Sequence, residues 1–131
     1  MKKYGIVNQT HLYTKETNMM YKGPIFFIQN ATHSSLEYTE MHTHTKVYIN
    51  AYEDRIEINR IGEMETKLNF RPNEKTTGTI LSEFGTIEIG IYTHKYIKRD
   101  NTIALAYDIL NGEEVSDGFR IIWKLKEEEL S

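Results

Sequence analysis

The chain has 131 residues, no cysteine, and sixteen Lys and Arg against nineteen Asp and Glu, for a formal net charge of −3. One domain of roughly 100–200 residues accounts for that length. The lack of cysteine excludes disulfide scaffolds, Cys-ligated metals and thiol catalysis, and the mildly acidic, dispersed charge argues against the basic footprint of a nucleic-acid binder. At the start, "MKKYGIVNQT", residues Asn8, Gln9, Thr10 and His11 interrupt any apolar leader, so the expected location is the cytoplasm. No apolar run approaches the roughly 20 residues of a membrane-spanning helix.

Period-two alternation of Ile, Val, Tyr, Thr and Phe recurs along the chain, and helical periodicity is scarce. It predicts strands over residues 5–15, 24–30, 33–40, 44–52, 54–61, 63–70, 76–83, 86–98, 102–110 and 114–126. The connectors are short, and Asn111-Gly112 is the strongest hairpin signal, because both central positions of a type I′ turn need positive φ. A meander of consecutive hairpins leaves two unpaired edges unless it closes. The expectation is therefore a single all-β domain over residues 1–131, an antiparallel up-and-down barrel of about eight to ten strands. The pairing of residues 1–35 is the least determined part, and the charged tail over 127–131 should fray.

The alternation also sorts the faces. Val47, Ile49 and Ala51, then Ile87, Ile89 and Ile91, then Ile103, Leu105, Tyr107 and Ile109, and finally Val115, Phe119, Ile121, Trp123 and Leu125 read as core. Lys46, Asn50, Glu88, Asp108, Arg120 and Lys124 read as the outer wall. On the strand beginning "MHTHTKVYIN", His42 and His44 fall in phase with Lys46 and Tyr48, on the polar face. A metal site there would need a third ligand such as His33 on a neighbouring strand. The expectation is no metal and no cofactor, with His33, His42 and His44 as the alternative. His94, in phase with Tyr92 and Tyr96, is expected to be exposed.

Arg60 is the main anomaly. Ile58 sets an inward phase that Arg60 continues, and Met64, Thr66, Leu68 and Phe70 carry it past Gly62. A guanidinium on an inner face must snorkel to water at the rim, pair with a carboxylate, or receive an anionic ligand. Asp117, between Val115 and Phe119, is the candidate partner across the barrel, unless a bulge near Gly118 turns it outward. No nucleophile elbow, phosphate loop or His-Glu-x-x-His motif is present. Glu113 and Glu114, directly after the Asn-Gly turn, are the nearest thing to an acid/base pair, but adjacent strand residues point to opposite faces and do not easily share a substrate.

A further set of marks belongs together: Arg60-Ile61-Gly62, Met64, Phe70, the Phe84-Gly85 turn, Thr93 and the Leu110-Asn111-Gly112 hairpin. With this spacing, the chain from about residue 36 to 125 resembles the small bacterial domain-of-unknown-function family typified by the Bacillus YwiB protein. Ser82-Glu83 departs from the Thr-Pro expected of relatives, and the first 35 residues match poorly. The resemblance implies a lipocalin-like, or calycin-like, barrel and carries over no catalytic residues.

The leading functional expectation is a non-enzymatic binding module whose mouth accepts a small apolar molecule with an anionic end. Arg60 would read that end, and Ile58, Met64 and Phe70 would line the apolar part. The rival is a solid-core structural or interaction domain, in which Tyr48, Tyr92 and Tyr96 on the outer wall suit homo-oligomer contacts. A third reading is a metal-dependent enzyme built on the histidines.

Overall fold

The computed structural model describes residues 1–127. Ten strands follow in order: β1 Lys2–His11, β2 Thr17–Gln29, β3 His33–Glu40, β4 Thr45–Tyr52, β5 Ile56–Ile61, β6 Glu65–Phe70, β7 Lys75–Ser82, β8 Gly85–Arg99, β9 Thr102–Asn111 and β10 Glu114–Glu127. They form one closed antiparallel barrel in which every strand pairs with its sequence neighbours and β1 pairs with β10. The described residues contain no helix, so none is long and apolar enough to cross a membrane. The expected frayed tail lies, from residue 128 on, outside the described residues.

The barrel has two ends. One, here called the mouth, carries the turns at 12–16, 41–44, 62–64, 83–84 and 112–113; the other, the base, carries the remaining four. Near the base the core is dense, with Ile25, Ile56, Phe70, Ile91 and Leu105 completely buried. Lys3 helps close this end, its ammonium 4.1 Å over the Phe27 ring and 3.2 Å from Asn101 Oδ1.

Residues 1–35 differ from the expected boundaries. The first strand stops at His11, and β2 starts at Thr17, well before the predicted residue 24. A register shift in β1–β2 at Val7/Asn8 breaks the alternation that marks a strand. Pro24 stands two residues before β2–β3 pairing begins at Phe26↔Glu37, where a missing backbone donor costs no ladder bond. That pairing covers only four residues, so β2 and β3 separate toward the mouth. The rings of Tyr21 and Tyr38, 4.6 Å apart, fill the seam from inside.

Two bulges reverse side-chain phase. A shift between Thr93 and Lys95 brings Tyr96 opposite Leu105, turning it toward the core, where its hydroxyl donates to the Tyr52 carbonyl at 2.6 Å. Tyr96 is therefore not part of an outer tyrosine surface. A shift between Val115 and Asp117 leaves Val115 48% exposed, so Val115 is not core. Ile87 is also removed from the core, at 60% exposure, because the tip of the β7–β8 hairpin extends past the barrel. Asp108 does point outward, yet it is buried, since the 12–16 turn folds over it.

Candidate functional site

A cavity of about 170 Å³ lies inside the barrel on the mouth side of the dense core. Its wall is mostly apolar: Val7, Met20, Val47, Ile58, Leu68 and Ile121, with the aromatic residues Tyr38, Tyr107 and Trp123. Gln9 and Arg60 are the remaining lining residues, and Arg60 is the sole charged one. Alternation on eight strands, β1 to β6 with β9 and β10, delivers these side chains to one level of the barrel.

Two aromatic groups are fixed by hydrogen bonding and burial. Trp123 Nε1 donates to the Tyr38 hydroxyl at 3.1 Å, and burial pushes the Tyr38 phenol up to about 12. Burial likewise pushes Tyr107 up to about 12, against a smaller opposing effect of Arg60. Both therefore stay neutral at physiological pH and present hydroxyl groups, not phenolates.

Arg60 also lines a second, open hollow of about 510 Å³ at the mouth, together with His42, His44, Glu63, Met64 and neighbouring threonines. Its side chain thus stands at the threshold between an apolar interior and a polar vestibule, 34% exposed. Its partner is Glu40, the last residue of β3, which is 4% exposed. Arg60 Nη2 lies 2.5 Å from Glu40 Oε1, but off the direction of a well-formed hydrogen bond, so that oxygen is compensated in charge without a directional donor.

Asp117 is not that partner. Arg60 is on β5 and Asp117 on β10, at opposite sides of a ten-strand ring. Asp117 stays at the rim, 52% exposed, and contacts His11 Nε2 at 3.1 Å. His11 accepts the backbone N–H of Tyr13 and Thr14 at Nδ1, which places its proton on Nε2, toward Asp117.

Of the residues expected to bind an apolar body, Ile58 lines the cavity. Met64 lies outside it in the vestibule turn, 54% exposed. Phe70 is fully buried and packs on Tyr107 with ring centroids 4.7 Å apart, so it supports the cavity wall without lining it. The three histidines are not brought together. His42 and His44 sit in the β3–β4 turn at the mouth, His44 with φ 53°, so neither continues the strand phase. His33 begins β3 at the base, stacked on Tyr52 at 4.7 Å. Among the described residues no three His, Asp or Glu side chains gather to hold a metal.

Sequence reasoning missed Glu40, although Leu36 and Tyr38 set an inward phase that reaches it. It also missed a polar cluster on the outer wall. Asp108 accepts from the Tyr13 hydroxyl at 2.7 Å and meets His94 Nε2 at 2.6 Å. Gly118 permits this approach, since a Cβ there would lie 2.6 Å from Asp108 Oδ1. The cluster pins the 12–16 turn to β9 and β10.

Comparison with known proteins agrees with this architecture. Residues 5–121 match the family described as Domain of unknown function (DUF1934), and the chain belongs to that family. The fold is similar to the crystal structure of the ywiB protein from Bacillus subtilis, with a TM-score of 0.79 at 16% sequence identity, over 98% of this chain and 92% of that one. No curated protein matches by sequence.

Proposed function

We propose that this member of the family is a non-enzymatic binding module that takes one small molecule with an apolar body and an anionic end. The observation that carries the reading is a cavity of about 170 Å³ with an apolar wall and one cationic side chain at its threshold. An engineered apolar cavity of about 150 Å³ accepts benzene, so the body is of that size, a single ring or a short branched chain. Drug-sized ligands occupy pockets of roughly 300–1,000 Å³ and are too large for the inner compartment. The guanidinium offers charge-assisted hydrogen bonds to a carboxylate. We place the protein in the cytoplasm, which its lack of cysteine supports.

Trp123 is the chain's one tryptophan and lines the cavity, so its fluorescence reports occupancy. Toluene and benzoate are titrated into wild type and into the charge-neutral pair Arg60→Met/Glu40→Gln. Both probes should bind wild type, and the double variant should keep toluene while losing benzoate by more than about tenfold. If neither probe perturbs Trp123 in wild type, the binding reading is wrong.

The interaction-domain reading draws on a different observation: Leu81, Phe84 and Ile87 on the β7–β8 hairpin are 48%, 92% and 60% exposed. An apolar cluster at a hairpin tip suits a protein contact. Phe84→Ser should change the sedimentation of the protein under that reading and leave it unchanged under the first.

A further inference from the structure

We infer that Glu40 is the specificity-determining residue of the cavity: an anionic ligand takes Arg60 from it by exchange of counter-ions, and the released carboxylate binds one proton. This rests on the ligand-binding reading above and adds a class of ligand and a pH dependence to it.

Arg60 lines both the inner cavity and the vestibule, whereas Glu40 lines neither. The carboxylate sits behind the guanidinium, 4% exposed. Its contact with Arg60 runs from Nη2 to Oε1 at 2.5 Å, and a guanidinium carries five N–H donors in all, so a second carboxylate has donors to engage. Arg60 can therefore be approached from the cavity by a ligand carboxylate while Glu40 remains fixed on β3.

The other titratable groups around the pair are Tyr38 on β3, Tyr21 on β2, Tyr107 on β9, His42 and His44 in the β3–β4 turn, and Glu63 in the β5–β6 turn. The tyrosines stay neutral, and Glu63 adds negative charge. Of these groups the imidazoles alone can carry positive charge, and they line the vestibule. Once a ligand carboxylate reaches Arg60, two carboxylates share one guanidinium in apolar surroundings. Like charges so placed cannot both stay ionised, and the buried one, lacking water, is the more costly to leave charged.

The balance is simple. Ligand carboxylate, the Arg60–Glu40 pair and one proton from solvent give a ligand carboxylate paired with Arg60 and a neutral Glu40. Binding therefore takes up about one proton, and the association constant falls about tenfold per unit rise in pH wherever free Glu40 and the ligand are both ionised. The ligand class follows: a monoanionic weak acid with a body of about benzene size. A dianion such as a phosphate monoester would leave uncompensated negative charge beside Glu40 and is selected against.

The test is calorimetric titration of benzoate into the full-length protein, in two buffers of different ionisation enthalpy, between pH 6 and 8. Wild type should take up about one proton per benzoate and lose about tenfold in affinity per pH unit. Glu40→Gln should take up none and bind independently of pH, and His42→Asn/His44→Asn should keep the wild-type uptake. Benzoate binding to wild type without proton uptake overturns the role of Glu40 and leaves the ligand reading intact. Uptake that survives in Glu40→Gln, or disappears with the histidines, assigns the proton elsewhere and also overturns it. Wild type that binds no benzoate at all refutes the anionic-ligand reading itself.

Discussion

Arg60→Met removes the charge that compensates Glu40 and keeps most of the aliphatic stem. Glu40 stays buried at 4% exposure, so the variant must hold an unpaired carboxylate or protonate it. Stranding one member of a buried ion pair costs about 3–5 kcal/mol. Urea unfolding of wild type and Arg60→Met should show a loss of that size. The double variant Arg60→Met/Glu40→Gln, which leaves no carboxylate to strand, should recover most of it. A loss below about 1 kcal/mol, or no recovery in the double variant, would refute the reasoning, because it would mean that Glu40 is wet or paired elsewhere.

Tyr38 and Tyr107 contribute to alkaline stability. Both phenols are pushed up to about 12 by burial, above an unfolded value of about 10, so their contribution is present below pH 10 and is lost as pH rises through 12; absorbance titration at 295 nm should show them ionising together with unfolding. Thr93→Val should be neutral or stabilising by up to about 1 kcal/mol, since the Thr93 hydroxyl is buried without a partner and a methyl of the same shape removes that cost. Gly118→Ala should destabilise by about 1–3 kcal/mol, because the new Cβ would meet Asp108 Oδ1 at 2.6 Å and Tyr13 at 2.8 Å; hydrogen exchange should accelerate in the 12–16 turn.

The barrel was legible in the sequence because period-two alternation and short turns are local signals, and a meander has one way to satisfy its edges. Ile58, Arg60 and Trp123 were placed on the inner face by the same rule. At Tyr96 and Val115 the rule failed because a single extra residue had changed the phase: the bulge at Thr93/Lys95 turned Tyr96 inward, and the one at Val115/Asp117 turned Val115 outward. Asp108 was read as solvated because nothing local announces that a turn about 95 residues earlier will cover it. Glu40 was within reach of the alternation from Leu36 and Tyr38. Its importance depends on β3 and β5 both lying beside β4, and that ring order also keeps Arg60 from Asp117. The separation of β2 and β3 near the cavity is likewise a non-local property: their pairing stops at Phe26↔Glu37, and Tyr21 stacks on Tyr38 beyond it.

The central claim, that the cavity beside Trp123 receives an apolar body and Arg60 its anionic end, is tested most directly by a crystal of the protein soaked in 4-bromobenzoate. One bromine anomalous peak is expected inside the barrel within contact of Trp123 and Ile58, with the carboxylate on the Arg60 guanidinium and Glu40 displaced from it. A cavity filled by its own side chains, or bromine found outside the barrel alone, would contradict the claim.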